Sequence, residues 1–327
     1  MKCTSRLKTL LTTQLLVLVV LFCTACGDTG LTLSGSYDLY SVSTSVDNTE
    51  LSSAHYFASD LCVTDGADNG TEKTDSQVAT SAACFNITTN ELVYSQNIFE
   101  TIYPASTTKI LTAYIIFRDC NLDDVVTVTD AINDLDPDSS VCGVSEGDQI
   151  TVRDLLYGLL LISGNDAAVA LAVYHSGSVD AFAEEMNETA ASLGATSSHF
   201  VNPHGLDDEN HYTTAYDMYL IFSKLIEYDE FLTIAGTVYY TASFTGADGN
   251  TITKDWTTTN RFLTGNKTIE DGFTVLAGKT GTTGQAGYCL VLLTENEKQE
   301  RVISIVYKAD SSWNLYLLMN QILAFAK

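Results

Sequence analysis

Val275-Leu276-Ala277-Gly278-Lys279-Thr280, Gly287-Tyr288-Cys289-Leu290-Val291-Leu292-Leu293 and Arg301-Val302-Ile303-Ser304-Ile305-Val306 follow one another near the end of a 327-residue chain. Each is apolar or alternating over the length of a strand, and the polar stretch 294–300 reads as a hairpin turn. The spacing predicts three consecutive strands, the adjacent pair antiparallel, with a closing helix over 315–326 packed on the sheet. Far upstream, Ala82-Ala83-Cys84-Phe85-Asn86-Ile87, the turn Thr88-Thr89-Asn90 and Glu91-Leu92-Val93-Tyr94 read as a further hairpin. Strands at both ends with helices between them place the chain in the α/β class, of the α+β kind. An antiparallel sheet is drawn from distant parts of the sequence and flanked by helices. Residues 123–234 read as a mostly helical subdomain, with 152–161 and 166–174 apolar or amphipathic.

Three short motifs sit on these elements. Lys279-Thr280-Gly281-Thr282 leaves the first of the late strands, and the missing side chain of Gly281 lets a substrate backbone lie along the edge. Ser106-Thr107-Thr108-Lys109 opens a helix over 106–117, with Ile110, Leu111, Ala113, Tyr114 and Phe117 on one broad face. Lys109 projects from the same side of the first turn as Ser106, within hydrogen-bonding reach. The positive end of the helix dipole disfavours its charge and moves it toward a useful base. Ser163-Gly164-Asn165 interrupts two apolar helices, where unpartnered polar side chains would cost about 1 kcal/mol or more each. Taken singly these are a helix cap with a solvated lysine, a turn, and a strand end. Taken in order, with 57 residues from Ser106 to Ser163 and 116 more to Lys279, they are the S-x-x-K, S-x-N, K-T-G pattern of acyl transfer on a serine.

The start of the chain reads as an export signal. Lys2, Arg6 and Lys8 precede an apolar run from Leu10 to Phe22, broken only by Thr12, Thr13 and Gln14, and small residues follow to Ala25-Cys26. That run is shorter than the roughly 20 apolar residues of a spanning helix. Thr24-Ala25-Cys26 is similar to a bacterial lipobox, which makes Cys26 the lipidated first residue of the mature protein; Cys23 stands where a lipobox usually has Leu. Ordinary signal cleavage is the other reading. Residues 27–54 are a polar linker, and 55–327 the folded catalytic domain.

The chain carries 16 basic and 41 acidic side chains, a formal charge of −25, and removing 1–26 takes three bases and no acid. This argues against nucleic acid and against electrostatic docking on anionic lipid. Of eight cysteines, Cys62, Cys84, Cys120, Cys142 and Cys289 lie beyond the leader. Outside the cytoplasm the pairs to test are Cys62–Cys84 and Cys120–Cys142, with free thiols the alternative. His204 and His211 with Asp207 and Asp208 lack a usual ligand spacing, so no metal and no cofactor is expected there, only a loop that shapes the cleft. Glu184 and Glu185 lie on an amphipathic helix over 182–193 and read as its solvated face.

From about residue 55 to 327 the chain resembles the penicillin-binding D-alanyl-D-alanine carboxypeptidases of low molecular mass. Beyond the three motifs, the similar stretches are Tyr103-Pro104-Ala105-Ser106, Leu156-Tyr157-Gly158-Leu159-Leu160, 182–187, Phe200-Val201-Asn202-Pro203-His204-Gly205-Leu206 and His211-Tyr212-Thr213-Thr214. The resemblance implies a β-lactamase/transpeptidase-like fold and removal of the terminal D-Ala from peptidoglycan stem pentapeptides, with β-lactams as covalent inhibitors. By the same resemblance Ser106 is the nucleophile, Lys109 its base and Ser163 the proton relay to the leaving D-Ala. Asn165 holds the substrate amide, Lys279 supplies positive potential, Thr280 and Thr282 bind the terminal carboxylate, and the N–H groups of Ser106 and Thr282 form the oxyanion hole. Many members continue into a β-rich module and a membrane-lying helix, whereas this chain stops at Lys327. Anchorage to the outer face of the bacterial cell membrane is therefore expected through the N-terminal lipid, with secretion as second choice. The region 237–267, including Trp256-Thr257-Thr258-Thr259-Asn260, matches more loosely. A β-lactamase and a catalytically idle penicillin- or wall-binding protein remain as alternative functions.

Overall fold

A computed structural model describes residues 60–327; the export signal, Cys26 and the polar linker lie outside the described residues. Its centre is a five-stranded antiparallel sheet in the order β2-β1-β9-β8-β7, from β1 (Ser81–Asn86), β2 (Glu91–Gln96), β7 (Phe273–Thr283), β8 (Gly287–Asn296) and β9 (Arg301–Ala309). The N-terminal hairpin pairs directly with β9, as Ser81 opposite Tyr307 and Asn86 opposite Val302, so the two ends of the chain close one sheet. Both faces are covered, which is why β8 and β9 read as apolar runs and not as alternations. Ala83, Phe85, Val291, Leu293, Ile303 and Ile305 face one core; Ala82, Cys84, Leu290, Leu292, Val302 and Val306 face the other.

The first core is filled by α1 (Lys109–Asp119), α2 (Val152–Leu161), α3 (Asn165–Ser176), α4 (Val179–Ser192), α5 (Ala215–Leu225) and α6 (Asp229–Ala235); the second by α7 (Ser312–Leu323). Phe85 on β1 stacks on Tyr219 of α5 with ring centroids 4.0 Å apart. Caps are local: Thr151, Ser178, Thr214 and Ser311 each accept a backbone N–H at the start of the helix that follows. Among the described residues no helix is long and apolar enough to cross a membrane.

The mostly helical subdomain over 123–234 also holds β3 (Val125–Thr127) and β4 (Gln149–Thr151), which belong to a second, four-stranded sheet in the order β3-β4-β5-β6. Its other strands, β5 (Tyr239–Thr245) and β6 (Thr251–Thr257), come from the region that matched loosely. Ala242, Phe244 and Trp256 face inward among polar neighbours facing out. Of the two readings of the cysteines the structure has the second, since all five described ones are free thiols. Cys62 and Cys84 belong to cores on opposite sides of the central sheet. Cys120 follows the far end of α1, about 16 Å along the helix from Lys109, whereas Cys142 packs against Gly164 at the other end. Burial raises the Cys84 and Cys289 thiols to about 12.

Candidate active site

Ser106 lies in a tight 3-10 turn, Ala105–Thr108, that runs straight into α1 at Lys109. The turn is held from within. Thr107 Oγ1 donates to Pro104 O at 2.7 Å and lies 3.0 Å from the Tyr307 hydroxyl of β9. Thr108 Oγ1 donates to Ala105 O at 2.8 Å and can accept from His211 Nε2 at 2.8 Å. Because His211 Nδ1 accepts the N–H of Val201, the ring is a neutral tautomer with its proton on Nε2. Burial holds His211 down at about 4. Ala105 sits at φ 48°, a left-handed conformation that a non-glycine residue adopts at a cost of about 1–3 kcal/mol. Gly205, at φ 89°, presses on it from below: a Cβ there would lie 1.9 Å from Ala105 O.

Lys109 is fully buried. Its Nζ is 2.7 Å from Asn165 Oδ1, 2.7 Å from His204 O and 3.2 Å from Ser106 Oγ. Burial pushes its pKa well below the usual lysine value, and the nearby Lys279 charge pushes it further, against the pull of Asp166. A neutral amine has two N–H donors and one lone pair. With two carbonyl oxygens at 2.7 Å taking the donors, the lone pair is left for the Ser106 hydroxyl.

The opposite wall is the loop between α2 and α3. Ser163 occupies it at φ 66°. Asp166, in the first turn of α3, ties this wall to the segment 142–144, its carboxylate accepting N–H groups of Cys142 and Gly143 at 2.7 Å each and Val144 at 3.2 Å. Asn165 N–H donates to Ser140 O at 2.7 Å. On β7, Lys279 is 1% exposed and donates to Ser163 Oγ and to Thr280 O, each at 2.9 Å; burial brings it down to about 7. Gly281 brings the β7 edge against the nucleophile turn, where a Cβ would meet Ser106 N and Ala105 Cβ at 3.0 Å.

All the residues expected from the motifs therefore converge. Ser106, Ser163, Thr280, Gly281 and Thr282 line one cleft of about 270 Å³, with buried Lys109, Asn165 and Lys279 behind it. Asn165 differs in detail from its expected role: its Oδ1 serves Lys109, which leaves its amide nitrogen as donor for a substrate carbonyl. The motifs do not mark Asp166, the His204 carbonyl, or Thr259, whose Oγ1 is 2.6 Å from that of Thr280. Nor do they mark Arg261, an exposed cation at the cleft. His204 and His211 act as wedges under the nucleophile turn, and among the described residues no three of His, Cys, Asp or Glu are gathered as a metal site. Glu185 of α4 is paired with Arg118 of α1 and Glu184 is exposed on α4, so neither enters the cleft.

The sequence pattern of the D-alanyl-D-alanine carboxypeptidase family matches residues 68–311. The chain belongs to that family. D-alanyl-D-alanine carboxypeptidase DacF of Bacillus subtilis is 32% identical over 254 residues, 76% of this chain and 62% of that protein. DacD of Escherichia coli is 35% identical over 244 residues, 72% and 59% of the two. The chain thus spans less than two thirds of these curated relatives. The solved Streptomyces K15 DD-transpeptidase superposes with a TM-score of 0.70 at 30% identity, covering 76% of this chain and 96% of that one.

If Gly205 is the floor of the nucleophile turn, Gly205→Ala meets both a left-handed φ and the Ala105 carbonyl. The variant is expected to lose about 2 kcal/mol or more of stability and to acylate poorly even when folded. Thermal unfolding together with penicillin labelling checks this, and a wild-type profile in both would contradict it.

Proposed function

We propose that this chain is a serine D-alanyl-D-alanine carboxypeptidase that removes the terminal D-Ala from peptidoglycan stem pentapeptides. The observation that carries the reading is the Lys109 amine, buried, depressed in pKa and saturated by two carbonyls so that its lone pair meets Ser106 at 3.2 Å. Ser106 Oγ attacks the carbonyl of the penultimate D-Ala as its proton passes to Lys109 Nζ. The resulting oxyanion faces the N–H groups of Ser106 and Thr282. Collapse breaks the amide, and the leaving D-Ala nitrogen takes a proton relayed through Ser163, leaving an ester on Ser106. Water attacks that ester with its proton going to the same base, and the shortened peptide departs. A β-lactam carbonyl enters by the first half of this path.

Specificity for a free C-terminus follows from charge. Lys279, lowered to about 7 by burial alone, has no ion-pair partner among the described residues, and a bound carboxylate would supply one. Thr280 and Thr282 add hydroxyl donors, and Arg261 offers a second cation at the cleft. No observation favours a β-lactamase, since the two candidate deacylating glutamates lie on a solvated helix, and the complete acylating set counts against an idle binding protein. Nitrocefin turnover against D-Ala release from a pentapeptide separates the three.

We also propose that the protein is exported and held at the outer face of the membrane by lipid on Cys26, the reading that the basic and apolar leader with Thr24-Ala25-Cys26 supports.

Ser106→Ala should abolish covalent penicillin labelling in a folded protein. Lys109→Arg, which keeps the charge but not the lone pair, should slow acylation by about 10²-fold or more; near wild-type acylation would place the base elsewhere. The second test is the pH profile. Acylation needs neutral Lys109, so the rate falls as pH drops through its depressed pKa. Lys279→Gln removes a like charge that keeps that pKa low, so the acid limb is expected to move to higher pH; an unmoved limb would refute the coupling. For the anchor, wild type should take up labelled fatty acid and Cys26→Ala should not. A mature N-terminus elsewhere, without lipid mass, would mean simple secretion.

A further inference from the structure

The segment Asn202-Pro203-His204-Gly205-Leu206-Asp207 is tied at its start to the base and at its end to the opposite side of the cleft. At the base, Thr112 Oγ1 donates to Pro203 O at 2.6 Å and Lys109 Nζ to His204 O at 2.7 Å. Asn202 stiffens the turn between, its Oδ1 accepting from His204 and Gly205 N–H and its Nδ2 donating to Leu206 O. At the far end, the Asp207 carboxylate accepts Thr283 Oγ1–H at 2.6 Å and the Gln285 N–H at 3.3 Å. Thr283 Oγ1 in turn accepts the Ala286 N–H at 2.9 Å, which shapes the turn from β7 to β8. Thr282, the expected oxyanion donor and carboxylate ligand, is the residue before Thr283. The mechanism leaves Asp207 without a role, although it is exposed and is not required to fill a core.

We propose that Asp207 is a positioning residue, which locks the strand end bearing the Thr282 N–H to the segment that holds Lys109. An oxyanion donor helps only if it already points where charge will develop. Thr283 ends β7, one residue past Thr282; the turn beyond is seated by buried Ala286 and by the pairing of Thr283 with Gly287, and the Asp207 carboxylate ties this strand end to the segment that holds the base. The lock therefore acts on tetrahedral species in both half-reactions through the Thr282 N–H, and on the bound carboxylate through the same residue's hydroxyl. This inference rests on the acyl-serine reading above.

The test is a double-mutant cycle of Asp207→Ala and Thr283→Val in the full chain, with labelled penicillin to read acylation and release and a pentapeptide to separate kcat from KM. Expected are a loss of at least about tenfold in acylation and in deacylation alike, below the roughly 10²–10³-fold loss that follows outright removal of an oxyanion donor. The fraction of protein that can be labelled should be unchanged, kcat should fall by at least the factor by which KM rises, and the double variant should be no worse than the poorer single one. Thr283→Val carries the test by itself if Asp207→Ala does not fold. Rates within twofold of wild type, a loss confined to acylation, or additive losses in the cycle would each overturn the proposal while wild-type labelling still stood. Failure of wild type to label at all would remove the functional reading and this inference with it.

Discussion

A lysine amine with no exposure to water is the constraint around which the rest of the domain is arranged. Burying an ammonium without an adjacent carboxylate is costly, so the group gives up its proton and must be satisfied as a neutral amine. That demands two acceptors and leaves one lone pair. The acceptors come from opposite directions: Asn165 at the start of α3, and the carbonyl of His204 in the segment after α4. Two otherwise unrelated stretches are thereby drawn onto the first residue of α1. The serine one turn earlier receives what is left over, so activation of Ser106 follows from how Lys109 is satisfied.

Holding those stretches so close accounts for the strained conformations. Ala105 and Ser163 both sit at positive φ without being glycine, one before the nucleophile and one on the facing wall. Each persists because its surroundings over-determine it. Ala105 is clamped by the Thr108 hydroxyl and by Gly205, and Ser163 is held between two helices by its bond from Lys279 and by the Asp166 brace next door. Relaxing either would move a hydroxyl that the chemistry requires in place.

Most of this was legible in the sequence where the physics is local. The S-x-x-K spacing places its lysine beside its serine by helix geometry alone, and the apolar runs 290–293 and 302–306 announce strands buried on both faces. The second sheet was not legible, since β3 and β4 are three residues each and β5 and β6 bury only Ala242, Phe244 and Trp256, which leaves little apolar signal. Nor were the supports of the site. Asp166 looks like an ordinary first-turn helix acid, and Asp207 like any loop carboxylate. Their roles depend on backbone N–H groups and a hydroxyl brought near from 22 to 78 residues away. The cysteines stayed open between pairs and free thiols because pairing depends on which face of a sheet each occupies, and the mere count of them carries no such information.

The two buried lysines differ in a way that orders events at the site. Lys109 has Asp166 pulling its pKa upward, yet burial and the Lys279 charge outweigh it. Lys279 is displaced by burial alone and stays within reach of neutrality, at about 7. A carboxylate arriving in the cleft would raise Lys279 and fix its charge, and that same charge would press Lys109 further toward the neutral form that accepts the serine proton. A ligand without a carboxylate would forgo both effects. On the proposed reading, recognition of a free C-terminus and readiness of the base would be coupled through the space between two amines.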